Sequence, residues 1–155
     1  MIYELITQEM RVLLGVQGWD WPAWTHAFFP EGMPEEWRLT YFNTQFECVL
    51  LSASQWQALP AHEYARWAGD THDKFMFLLQ SEHDEPVPQA LRGRARCIAE
   101  GDARLVSFDK GTDLKNLAET LMQFQDEPVY LVSRDGDLSQ LERVRTLLEL
   151  LGRSA

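Results

Sequence analysis

The run Phe75-Met76-Phe77-Leu78-Leu79 holds no polar residue in five positions, and Val49-Leu50-Leu51 gives a shorter run of the same kind. A strand with one wet face alternates apolar and polar residues, whereas an unbroken run has both faces covered. Such segments are central strands of a parallel sheet, and parallel neighbours require long crossover connections. Five strands are expected in order: residues 11–17, closed by Gly18; residues 48–53; residues 74–80; residues 104–108; and residues 129–133, introduced by Pro128. Between them lie helix-period segments. Residues 113–125 place Leu114, Leu117, Leu121 and Phe124 on one face behind Thr112 or Asp113 as N-cap. Residues 138–151 form a second helix, closed by Gly152. Residues 83–88 read as loop, residues 89–100 as helix, and Gly101-Asp102 as its terminating turn. Residues 1–10 fit a helix through Ile2, Leu5, Ile6 and Met10, though residues 2–7 also fit a strand. The expected class is α/β, a parallel five-stranded sheet of successive βα units.

Length and charge narrow the function. The 155 residues make one domain without a linker, residues 1–10 being an extension. Net charge is -10, from 24 acidic against 14 basic residues, so the field of the chain repels phosphate backbones and anionic lipid. Neither nucleic acid nor membrane is expected as a partner. No apolar run approaches the ~18 residues of a membrane span, and Met1-Ile2-Tyr3-Glu4 does not begin a signal peptide, which points to the cytoplasm. The residues after Gly152 read as a natural end. Arg92, Arg94 and Arg96 form the nearest thing to a basic patch, but no aromatic residue interleaves them, and they read as solvated surface. Cys48 and Cys97 lack metal-ligand spacing and read as small buried apolar residues.

The stretch Gly15-Val16-Gln17-Gly18-Trp19-Asp20-Trp21-Pro22-Ala23-Trp24, followed by Phe28-Phe29-Pro30, resembles the start of the YecE-like family, domain of unknown function family 72. There a first strand ends in G-x-S-G-W-x-Y, with W and F-Y-P behind it. The resemblance continues through Trp37-Arg38-Leu39-Thr40-Tyr41-Phe42, Phe46, Trp67 and Phe75-Met76-Phe77. More weakly, Leu105-Val106-Ser107-Phe108 and Val129-Tyr130-Leu131-Val132-Ser133-Arg134 look like the family's fourth and fifth strands, so residues 11–152 are covered. The family is similar to a (β/α)8 barrel, which typically takes ~250 residues. The resemblance therefore implies the first five units of a TIM-like barrel, incomplete, with three strands absent. It also implies a loss of chemistry. The family's V-E-I-N reads Val49-Leu50-Leu51-Ser52, its third-strand Lys is Gln80, and its E-F-R reads Val132-Ser133-Arg134. Only Arg134 matches, and no catalytic residue is assigned.

Ligand-binding candidates gather where a parallel barrel puts its site, at the C-terminal strand ends. They are Gln17, Trp19, Trp21, Trp24, Ser52, Trp56, Gln80 and Arg134. The indoles could line a stacking pocket or fill the end of the core. Arg134 could hold a carboxylate or phosphate. The loop Asp109-Lys110-Gly111-Thr112-Asp113 suits helix capping better than anion binding, because two aspartates flank its one glycine. His26, His62, His72 and His83 are scattered, so no metal is expected, nor any cofactor. A nucleophile elbow is absent.

An incomplete barrel leaves the first and fifth strands as open edges, which residues 1–10 or a second copy could cover. A homodimer is the expected assembly. Three functions follow in order: a catalytically inactive interaction or structural protein; a binding module for a small anionic metabolite at the Trp-rich mouth; and a residual enzyme using Asp20, His26 or Asp109 on a phosphorylated or carboxylated metabolite.

Overall fold

A computed structural model describes residues 11–124 and 128–152; the expectations for residues 1–10, for the end of the 113–125 helix and for the segment after Gly152 lie outside them. Six strands form one all-parallel sheet: β1 (Val12–Gln17), β2 (Cys48–Leu51), β3 (Met76–Gln80), β4 (Ala95–Ile98), β5 (Leu105–Phe108) and β6 (Val129–Ser133). Five helices accompany them: α1 (Arg38–Gln45), α2 (Ala53–Trp56), α3 (Ala61–Gly69), α4 (Leu114–Met122) and α5 (Leu138–Leu151). The sheet order is β4-β3-β2-β1-β6-β5.

This order corrects three sequence expectations. The sheet has six strands, because residues expected as the helix 89–100 contain a short 3-10 turn, Gln89–Leu91, and then β4. The first strand is central, with Val16 opposite Val49 of β2 on one side and Ser133 of β6 on the other. The open edges are instead β4 and β5. Finally, β5 and β6 do not continue outward from β4 as fourth and fifth strands would. They attach on the far side of β1, the side on which a closed barrel places its last strands.

Alternation along each strand splits the apolar side chains into two cores. Val12, Leu14, Val16, Val49, Leu51, Phe77, Leu79, Val129 and Leu131 pack outward against the helices. Leu13, Cys48, Leu50, Leu78, Ile98, Leu105, Tyr130 and Val132 pack on the inner face. Both faces are dry, as the unbroken apolar runs require. The sheet curls around the inner core into a half-barrel. Arg96 Nη1 of β4 donates to Tyr130 Oη of β6 at 3.1 Å, although β4 and β6 are four places apart in the order. Four flat strand spacings would separate them by about 19 Å. Gly15 permits the tight inner packing: a Cβ there would sit 2.3 Å from the Cys48 carbonyl oxygen and 2.5 Å from its Sγ.

The connection from β4 to β5 is residues 99–104 alone. Parallel strands ordinarily need a dozen or more residues to return to the same end of the sheet. Here the chain turns through Asp102 N–H to Ala99 O at 3.1 Å and Leu105 N–H to Asp102 O at 3.0 Å, with no intervening helix. The two edges are strapped together by this short segment.

The arginine stretch is not a solvated patch, since only Arg92 is exposed. Arg94 reaches the C-terminal end of α3, donating to the carbonyls of Ala68 at 2.9 Å, Thr71 at 2.9 Å and His72 at 2.7 Å. Arg96 lies over the Tyr130 ring, 5.8 Å from its centroid. Cys48 is buried and Cys97 half-buried. Among the described residues, no helix is long and apolar enough to cross a membrane.

Candidate functional site

Every strand of a parallel sheet points its C-terminal end the same way, so the residues closing the strands gather at one mouth. Gln17 ends β1, Gln80 ends β3, Ser107 lies near the end of β5, and Arg134 directly follows β6. Arg134 binds across this mouth: Nε donates to Gln17 Oε1 at 2.8 Å, and Nη1 to Ser107 Oγ at 3.0 Å. Its two terminal nitrogens grip Glu100, Nη1 to Oε1 at 2.9 Å and Nη2 to Oε2 at 3.1 Å. Gln80 Nε2 also donates to Glu100 Oε2. The Glu100 carboxylate thus receives three N–H donors, in the fork geometry that suits a planar oxyanion. The hydrogen bond from Arg134 holds the Glu100 carboxyl below the usual carboxylate range, against a smaller opposing effect of burial.

Two cavities border this pair. One, of about 340 Å³, is lined by Gln17, Gly18, Asp20, Trp21, Pro22, Gln55 and Arg134. The other, of about 520 Å³, includes Ser52, Gln57, Gln80, Ser81, His83 and Glu100. Arg134 belongs to the first and Glu100 to the second, so the ion pair is their common border. Trp21 walls the first cavity by packing on Gly136, whose φ is +67° and where a Cβ would sit 2.8 Å from the indole. Trp21 Nε1 is buried and has no hydrogen-bond partner among the described residues.

The sequence candidates therefore divide. Gln17, Gln80 and Arg134 meet in one network, with Ser52 and Trp21 in the adjoining cavity walls. The other indoles do not form a shared pocket. Trp24 is fully buried, donates to Gly136 O at 2.8 Å and packs against Phe28 and Phe42. Trp56 is buried and donates to Gln80 O at 2.9 Å. Trp19 turns away, edge-on to Trp67 at 5.5 Å. Sequence reasoning missed Glu100 and Ser107. Ser107 carries a readable signal, being two residues beyond inward-facing Leu105 on an expected strand; Glu100 was hidden by the helix expected over it.

Titratable groups named for catalysis do not converge. Asp20 pairs with Arg38 at 2.7 Å, His26 is exposed, and Asp109 accepts from Gly111 N–H at 2.9 Å within its own turn. The loop 109–113 acts as a cap, Asp113 accepting from Lys115 N–H at 3.0 Å. Asp135 sits beside it: burial opposes ionisation, but the N–H groups of Lys110 and Asp137, the Ser133 hydroxyl and its own backbone N–H together hold the carboxyl low. Among the described residues no three His, Cys, Asp or Glu side chains are placed to hold a metal.

Fold and site together define an α/β half-barrel protein with a polar, arginine-centred mouth at the C-terminal strand ends. The chain belongs to the family described as protein of unknown function DUF72, which matches residues 13–154, from the first strand through the last helix. No curated protein and no solved structure matches it.

Proposed function

We propose that this chain is a non-catalytic binding protein whose mouth takes the oxyanion of a small hydroxylated acid, a carboxylate or a phosphate ester, at Arg134. One observation carries the reading: the guanidinium is steadied from two other strands by Gln17 and Ser107 and turns its Nη1–Nη2 edge to a carboxylate. The neutral amides and hydroxyls of Gln17, Gln55, Ser52 and Gln80 suit ligand hydroxyls, which both donate and accept. The indole of Trp21 suits the C–H face of a sugar-like chain. The carboxyls of Glu100 and Asp135 are both held below the usual carboxylate range, so the reading assigns neither a proton transfer.

The fold reading behind this proposal is that β1–β4 hold the first four places of an eight-stranded ring and β5 and β6 its last two. The sheet order and the short strap at residues 99–104 support that assignment. The missing length lies in the middle: 155 residues against the ~250 of a whole barrel leave about 95, enough for two strands and their helices.

The test is a tryptophan-fluorescence titration with hydroxylated acids, sugar phosphates and uncharged sugars, the share of the signal due to Trp21 being read from its loss in Trp21→Phe. Acids and phosphates should quench or shift the emission of the wild type. Arg134→Ala should weaken them at least tenfold, on the scale of a lost charge-assisted bidentate contact. Equal response to the uncharged sugars, or an unchanged response in Arg134→Ala, overturns the reading.

A further inference from the structure

We infer that Glu100 is a resident competitor of the mouth, a side-chain carboxylate occupying the oxyanion position that a ligand must win from it. The inference rests on the binding reading of Arg134 above and adds how that site is kept closed. Three features carry it. First, the donors around the Glu100 carboxylate stand on the sheet: Gln80 ends β3, and Arg134 follows β6 with Gln17 and Ser107 behind it. They stay in place if Glu100 leaves. Glu100 itself stands on the strap 99–104, followed by Gly101, and belongs to no strand or helix.

Secondly, the two partners are unequal in exposure. The Glu100 side chain is 54% exposed and that of Arg134 26%. A displaced Glu100 regains full hydration while Arg134 exchanges one carboxylate for another, so the exchange preserves the charge balance of the mouth. Exposed ion pairs contribute little, ~1 kcal/mol or less, and a ligand able to add contacts of its own can displace one. Thirdly, the pair is the border between the 340 Å³ and 520 Å³ cavities. Opening it joins them into one cleft with Trp21 and Gln55 on one side and Ser52 and Ser81 on the other. The ligand is thus an acid whose oxyanion takes the place of the Glu100 carboxylate and whose hydroxylated remainder extends to either side.

Inorganic sulfate is the probe, because it is an oxyanion with no further groups and keeps its charge in mild acid. Wild type, Glu100→Gln and Arg134→Lys are titrated with sulfate at constant ionic strength. The readout is the Nε–H resonance of Arg134, identified by its loss in Arg134→Lys, together with the backbone amide resonances of Gln17 and Ser107, which flank the guanidinium and report in all three proteins. Glu100→Gln should bind sulfate more tightly than wild type, by about two- to fivefold, the scale of an exposed pair. If wild type and Glu100→Gln bind equally and the Arg134 resonance moves in both, the role of Glu100 is wrong while the Arg134 site stands. If the resonance moves in neither, both readings fall. Unaltered wild-type protein supplies a second arm should Glu100→Gln fold poorly. As pH falls through the titration of Glu100, the protonated side chain releases Arg134, and sulfate affinity should rise more steeply than in Arg134→Lys. Parallel pH curves for the two proteins overturn the inference.

Discussion

At the scale of single residues, two glutamates are shifted in opposite directions for opposite reasons. Glu100 is held low by Arg134. Glu47 is raised: burial outweighs the hydrogen bond its Oε2 accepts from Leu14 N–H at 3.1 Å. A folded-state value below the unfolded one gives stability that is present above the unfolded value and lost as pH falls through the folded one. Glu47 works the other way. Its raised value favours the folded state in acid, and that contribution is lost as pH rises from the unfolded to the folded value. Glu47→Gln keeps an acceptor for Leu14 N–H without a charge to bury. Its melting temperature should exceed that of wild type at pH 7, and the difference should vanish below the carboxylate range. A constant difference across thermal melts at several pH values would assign the effect to packing instead.

At the scale of elements, the strands without alternation were legible because burial on both faces leaves no place for a polar residue. Residues 129–133 were expected as strand and are strand, and α5 runs over the expected 138–151. The strand β4 was not legible as such, though its signal is present. Arg92, Arg94 and Arg96 recur at every second position, with Gly93, Ala95 and Cys97 between, which is strand spacing. Read as charge, the spacing suggested a patch; as geometry, it sends Arg96 inward to Tyr130 while Arg94 serves α3. At the mouth, Gln17, Gln80 and Arg134 could be found because each closes an expected strand. Glu100 could not, since its position follows from a connection whose shortness no local pattern announces. The edge order was hidden likewise, because pairing of β6 with β1 joins segments more than a hundred residues apart. Arg94 satisfies three carbonyls at the end of α3, so Arg94→Ala should lower stability by about 2 kcal/mol, the range of hydrogen bonds to a charged donor. Urea unfolding checks this, and Arg92→Ala, at an exposed position, should leave the midpoint unchanged.

At the scale of the whole molecule, protection should follow place in the sheet rather than place in the sequence. Each of β1, β2, β3 and β6 has strand neighbours on both sides, whereas β4 and β5 have one each. Amide hydrogen exchange should therefore be slowest in β1, β2, β3 and β6, although β1 and β6 lie at opposite ends of the described chain. Exchange in β4 as slow as in β2 would mean that its outer edge is covered in solution. The segment that ties these two edges is also the one that carries Glu100. Residues 99–104 work as a bowstring: their length fixes how far the arc of strands bends, and the bend brings Glu100 to Arg134. Slack added to the string flattens the bow and draws the two charges apart together. On the proposed reading of the mouth, its occupancy and the curvature of the sheet become one mechanical variable, set by the six residues between β4 and β5.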